Sequence, residues 1–282
     1  MDLGTPIKGP SALGTDRRRL ARLTWTLAYT DFKLRFFGSV LGYLWQLMQP
    51  LMLFGVLYVV FSLLLNFSGP EQYYPVSLLL GIVLFTFLNE STAGAVRSIV
   101  ARENLVRKIE FPRLAVPLAT VLMALMNLGL NLVPVFVFLL AAGGAPRLSW
   151  LEFPFLIAIF ALFAAGLAML LSSLFVRARD VEPIWTVVLQ MLFYATPIFW
   201  TTQAVLEQHP NLGWAIKLLM LNPFAAIVQQ SRHAVLGPSY PSISQLLGGG
   251  WLVLVPLAII AVVIVIGSVV FSRMAPKIAE EL

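Results

Sequence analysis

The sequence predicts an all-α integral membrane protein with six transmembrane helices, and three observations carry that prediction. Hydrophobic residues fill 59% of the 282 positions and the mean hydropathy is +0.88, more apolar surface than one soluble core can hide. The apolar residues fall into six runs, each near the ~20 residues that about 30 Å of hydrocarbon requires. Charged residues, only 11% of the chain, lie almost wholly between those runs.

Met1 to Asp16 is polar and rich in Gly, Pro and Thr, without the pattern of a cleavable signal, and is expected as a flexible tail. Residues 17–35, RRRLARLTWTLAYTDFKLR, place Leu20, Leu23, Leu27 and Leu34 on one stripe with Arg18, Arg22 and Lys33 projecting away. That pattern predicts an amphipathic helix in the membrane interface. Asp31 falls at the edge of the stripe, where it can pair with Arg35 one turn on.

The spans are placed at 41–65, 76–96, 117–140, 154–175, 184–200 and 251–271, within a transmembrane domain of 36–272 and before a short tail of 273–282. Pro50 is expected to bend the first span and Pro134 the third. In the fifth, Pro197 interrupts FYATPIFW, which predicts a broken helix that turns back near the far surface. Residues 201–250 alternate helix-like apolar stretches with Pro and Gly, and are expected to form one or two short helices dipping into the interface.

Sixteen of the nineteen Lys and Arg lie on the side that carries both termini and the loops 97–113 and 176–183. This asymmetry predicts that both termini are cytoplasmic. The densest cluster is RSIVARENLVRKIEFPRLAVP, with Arg97, Arg102, Arg107, Lys108 and Arg113 inside seventeen residues. In RARDVEP, Asp180 can cap the next helix, Glu182 sits in its first turn, and Pro183 fits early in it.

The net charge of +6 reports membrane topology and not nucleic acid, because no basic surface domain lies outside the spans. Without cysteine, disulfides and thiolate metal sites are excluded. His209 and His233 stand far apart with no carboxylate cluster nearby. There is no GxSxG, no HExxH and no GxxxxGK[ST] loop to cradle a nucleotide. Any work from ATP therefore requires another subunit.

Glu90, in FLNESTAG, is the clearest ionisable residue inside a span. Two roles are open to it: lining a watery path, or hydrogen-bonding a neighbouring helix. Tyr58, Phe193 and Tyr194 lie where a path between spans one and five can pass, and aromatic faces suit sugar rings sliding over them.

Several segments together resemble one family. ENLVRKIEFPRLAVPLA, RARDVEPIWTVVLQMLFYATPIFW and LNPFAAIVQQSRHAVLG, in that order and preceded by a basic helix running into FGSVLGYLWQLMQPL, are similar to ABC-2-type permeases. The likeness is to those exporting O-antigen, capsule, teichoic acid or galactan. It implies a permease subunit in the bacterial plasma (inner) membrane, paired with a second copy and with two ATPase subunits that bind ATP and Mg, so that this chain holds no cofactor. It further implies that Glu103, Asn104, Leu105, Val106, Arg107, Lys108, Ile109 and Glu110 form a cytoplasmic coupling helix between spans two and three. Leu105, Val106 and Ile109 supply that helix with a small apolar docking face.

Carried over the same way, the helix 17–35 becomes a second contact with the ATPase or, near Arg35, with the lipid carrier's phosphates, and Arg177, Arg179 and Asp180 face the cytoplasmic entrance. Pro197, Phe199 and Trp200 stand at the turn of re-entrant external gate helices. The reading is export of a lipid-linked glycan. A drug or lipid cargo fits the same fold, and an integral-membrane enzyme acting on an isoprenoid phosphate is the alternative of another class. That enzyme would need paired acidic residues, for which only Asp180 and Glu182 remotely qualify.

Overall fold

The computed structural model describes residues 17–36, 42–64, 73–103 and 112–275. Most of these residues are helical, with no strand among them. The predicted tail 1–16, most of the loop 66–75, and Asn104, Leu105, Val106, Arg107, Lys108, Ile109 and Glu110 of the expected coupling helix lie outside the described residues.

The first helix, α1 (Arg17–Phe36), covers the segment expected as helical. Leu20, Leu23 and Leu27 turn inward, partly buried, and Ala28 is fully buried. Two details differ from the predicted stripe. Leu34 is exposed, and Asp31 belongs to the inward face, where it pairs with Arg102 and not with Arg35. On the face beginning at Leu20, Asp31 sits at i+11, which explains its inward position; Leu34, at i+14, falls on the same face by spacing but lies in the last turn of the helix, where it is exposed.

Four long helices lie at four of the predicted spans, three of them within about two residues of the expected ends and the last shifted by three to four residues. They are α3 (Tyr74–Ser98), α4 (Ala115–Ala141), α5 (Glu152–Arg177) and α11 (Val255–Met274), the last two entered through 3₁₀ turns at Leu148–Leu151 and Gly250–Leu254. The first span is α2 (Gly42–Tyr58), continued by a π-helical turn over Val59–Leu64. Helix runs through both Pro50 and Pro134.

Burial separates the spans sharply. In its most apolar window α3 is 72% buried, and it forms the axis of the bundle; the first span is only 6% buried. The core gathers α3 with inward residues of α4 and α5, including Leu79, Leu84, Phe87, Leu128 and Phe160. α5 and α11 approach through two glycines: a Cβ on Gly267 would lie 2.2 Å from the Gly166 carbonyl oxygen. Such small-residue contacts are how helices pack where lipid supplies no hydrophobic drive.

The fifth span departs from its predicted bounds of 184–200. The helix, α6, covers Val181–Ala195, about 22 Å at 1.5 Å per residue and so short of a full crossing. Pro197 sets the end: a residue before proline is driven out of the helical region, and Thr196 is extended at φ −82, ψ 143. At the other end Asp180 occupies the N-cap position, but it makes no capping bond. Its own backbone is helical at φ −68, ψ −15, whereas a capping side chain works from an extended residue.

Beyond the break come four short helices, more than the one or two expected: α7 (Thr202–Gln208), α8 (Gly213–Met220), α9 (Pro223–Leu236) and α10 (Ile243–Leu247). The helical segments Pro210–Met220 and Pro223–Leu236 meet at 109°. Asn222 starts α9 by accepting the Phe224 N–H at 3.0 Å, with Pro223 in the first position where no donor is needed. α9 does not float in the interface. Twelve of its fourteen residues are buried, because it drives into the bundle between α3 and α5.

Candidate functional site

The polar chemistry gathers at two levels of the bundle. Nearer the N-terminal side, Glu90 of α3 accepts from three helices at once: Arg35 of α1 at 2.9 Å, Gln46 of α2 at 3.0 Å, and Asn127 of α4 at 2.8 Å. Its side chain is 14% exposed. Of the two roles open in the sequence, these contacts supply the hydrogen-bonded one. A carboxylate at this depth needs such company, since an isolated charge in low dielectric is costly. Arg35, expected as a phosphate contact, has its guanidinium on Glu90, although 37% of that side chain remains exposed.

The basic loop is more than a topology signal. Arg102 holds Asp31 of α1, and Arg97 donates to Glu182 of α6 at 2.5 Å. Arg113 is buried at the foot of α4, and that desolvation lowers its pKa from the usual arginine range. Glu103 is the only residue of the expected coupling helix among those described, at the end of a 3₁₀ turn over Val100–Arg102. Arg177, Arg179 and Asp180 are exposed together on this side. The Arg179 guanidinium lies 5.0 Å from the Phe175 ring centroid. Glu182 is committed to Arg97, so it and Asp180 do not form a free acidic pair.

Above this level a groove of about 340 Å³ opens between α2, α3 and α6. Phe85, Phe193 and Tyr194 give it aromatic faces, and Asn89, Thr186 and Gln190 give it hydrogen-bonding groups. Tyr194 is 60% exposed, with its ring edge-on to Phe193 at 5.4 Å. Trp185 secures the same helix by donating to Thr92 at 2.9 Å. Tyr58 does not join this lining: it stacks on Phe54 at 5.7 Å.

The groove ends at the broken span. Phe199 contacts Phe61, Phe193 and Tyr194, with centroids 4.6, 6.1 and 6.0 Å away. Pro197 is buried, and Trp200 turns aside to pack among α7 to α10. Unwound backbone at membrane depth must find donors for its carbonyls inside the protein. Tyr74 Oη donates to the Phe199 carbonyl at 2.6 Å, and Arg232 of α9 donates through Nη2 to the Ile198 carbonyl at 2.8 Å.

Arg232 is the residue that sequence reasoning missed. Within QQSRHAVLG it reads as a cation of an external loop, yet it is fully buried. The signal that could have found it is its setting: Arg232 lies four residues after Val228 and three before Val235, apolar residues at helical spacing that mark a core face.

Comparison with known proteins places this architecture. The chain is 27% identical over 257 residues to an O-antigen export system permease protein RfbA of Klebsiella pneumoniae, covering 89% of this chain and 92% of that one. A second protein of that name and organism is 28% identical over the same shares. One from Myxococcus xanthus is 26% identical over 203 residues, 72% of this chain and 76% of the relative. The family model described as ABC-2 type transporter matches residues 22–236, from the interface helix to the end of α9. With three quarters of its length matched, including both the Glu90 hub and the broken span, the chain belongs to the ABC-2 type transporter membrane family.

Proposed function

We propose that the chain is the permease half of an ATP-driven exporter that moves a lipid-linked polysaccharide outward across the bacterial plasma membrane. The observation that carries the proposal is the groove between α2 and α6. Aromatic faces beside amides suit a sugar polymer, whose rings offer C–H faces and hydroxyl edges. The helices on its flanks are unfinished as walls: α2 is almost wholly unburied, and α6 buries only Leu189. A second copy of the chain would close the path. The relatives named as O-antigen export permeases support the cargo class.

In this reading the N-terminal side is cytoplasmic, which the Lys and Arg asymmetry supports. Two separate ATPase subunits dock there on the segment Glu103 to Glu110, and bind the ATP and Mg. Arg177, Arg179 and Asp180 then stand at the entrance, and the break at Pro197 stands at the exit. Co-purification tests the assembly: a Walker-motif subunit should accompany the parent chain and be lost when Leu105→Asp and Arg107→Glu are combined. Active chain purified alone, turning over a lipid phosphate, would overturn the reading.

The groove makes a second prediction. Tyr194→Ala should lower polymer export several-fold, since one lost aromatic stacking contact is worth about 1 kcal/mol. Tyr58→Ala should lower it less, because Tyr58 lies against Phe54 and not in the groove.

A further inference from the structure

We infer that Arg232 is a positioning residue that locks the outer break of the fifth span to the core. The inference rests on the reading above, in which that break stands at the exit of the path. Three segments of the chain meet at this guanidinium. It is carried by α9; it donates to Ile198 in the unwound segment after α6; and the same Nη2 lies 3.4 Å from the Ser77 carbonyl of α3.

Gly81 of α3 clears the place. A Cβ there would come within 3.3 Å of Ile198 Cγ2 and 3.4 Å of Arg232 Nη2, tighter than most real Cβ contacts. The arrangement is directional. Both bonds leave one nitrogen, Nη2, whose two N–H groups are held in the guanidinium plane and point in fixed directions, unlike the rotatable donors of a lysine ammonium. With these bonds made, α9, the break and α3 move as one body. To open the path at Thr196 to Trp200, the Arg232 bonds must be exchanged.

The natural sequence is free of cysteine, so single-cysteine labelling tests this directly. Thr196 is fully buried beside the break, and its hydroxyl has no hydrogen-bond partner among the described residues, which makes Thr196→Cys a mild reporter. Ser172→Cys, buried in α5 toward the other side of the bundle, is the control. The probe is a membrane-impermeant maleimide applied from outside to cells expressing the full chain.

In an Arg232→Met background, labelling at position 196 should rise about tenfold, as expected for losing a charge-assisted hydrogen bond that holds a local closed state. Position 172 should stay slow, and Arg232→Lys should fall between parent and Met. Equal labelling at 196 in parent, Lys and Met chains overturns the inference. A parallel rise at 172 also overturns it, by assigning Arg232 to general stability.

Should Arg232→Met fail to accumulate, Gly81→Ala keeps the charge while crowding Ile198, and should raise labelling at 196 alone; no rise there overturns the inference. Labelling needs neither cargo nor ATPase. A chain that shows the lock but exports nothing therefore counts against the export reading and not against the lock.

Discussion

On the N-terminal side, helices are joined side chain to side chain: Arg35 to Glu90, Arg102 to Asp31, Arg97 to Glu182. On the opposite side, apart from Gln230 donating to Glu152, the joining is side chain to backbone, with Arg232 and Tyr74 donating to the carbonyls of Ile198 and Phe199. The difference follows from what each end contains. Where helices are whole, their main chains are satisfied internally, and only charges remain to be matched. Where a span is broken, its carbonyls need donors, and those donors fix the break in one place.

The two arrangements suit two mechanical tasks. Ion pairs between long side chains at a partly wet surface tolerate sliding, so α1, α3 and α6 can be shifted together by a partner without losing their links. Donors committed to particular carbonyls tolerate little movement. The end proposed to receive force is thus laced by adjustable contacts, and the end proposed as an exit is held by contacts that are either made or broken.

The largest predicted effect on stability is at the hub. Glu90→Leu removes the acceptor shared by Arg35, Gln46 and Asn127, and should lower stability by about 2 kcal/mol, below the range for a fully buried pair because Arg35 remains partly solvated. Thermal midpoints in detergent measure it, and adding Arg35→Leu should recover part of the loss. Tyr74→Phe, which strands the Phe199 carbonyl, should cost about 1 kcal/mol while leaving ATPase binding intact. The smallest effect is expected for Glu182→Gln. Its partner Arg97 is mostly exposed, so the loss should be a few tenths of a kcal/mol and should vanish in high salt.

What the sequence made legible divides along the same line. The long spans were readable because about twenty apolar residues report their own extent, and the terminus of α6 was foreshadowed by Pro197. The expected 184–200 still missed its bounds. An apolar composition continues to Trp200 after the helix has ended, and composition cannot say where hydrogen bonding stops. Partners were the unreadable part. Asp31 has Arg35 one turn away in sequence, yet it meets Arg102, seventy-one positions distant. The donors for the break come from Tyr74 and Arg232, on helices that no local window connects to it.

Glu90 shows the intermediate case. Its cost in a span marked it as important from sequence alone, but two roles stayed open until Gln46 and Asn127 were seen on the same carboxylate. The aromatic candidates divided similarly: Phe193, Tyr194 and Phe199 share one cluster, while Tyr58 lies apart from it.

The central claim is outward movement of a lipid-linked polysaccharide, and depletion of the protein from its own cell tests it most directly. Lipid-linked polymer should accumulate in the inner leaflet, shielded from an impermeant glycan-oxidising label until the cells are opened. Unchanged polymer, labelled as readily from outside as in the parent cell, would contradict the account.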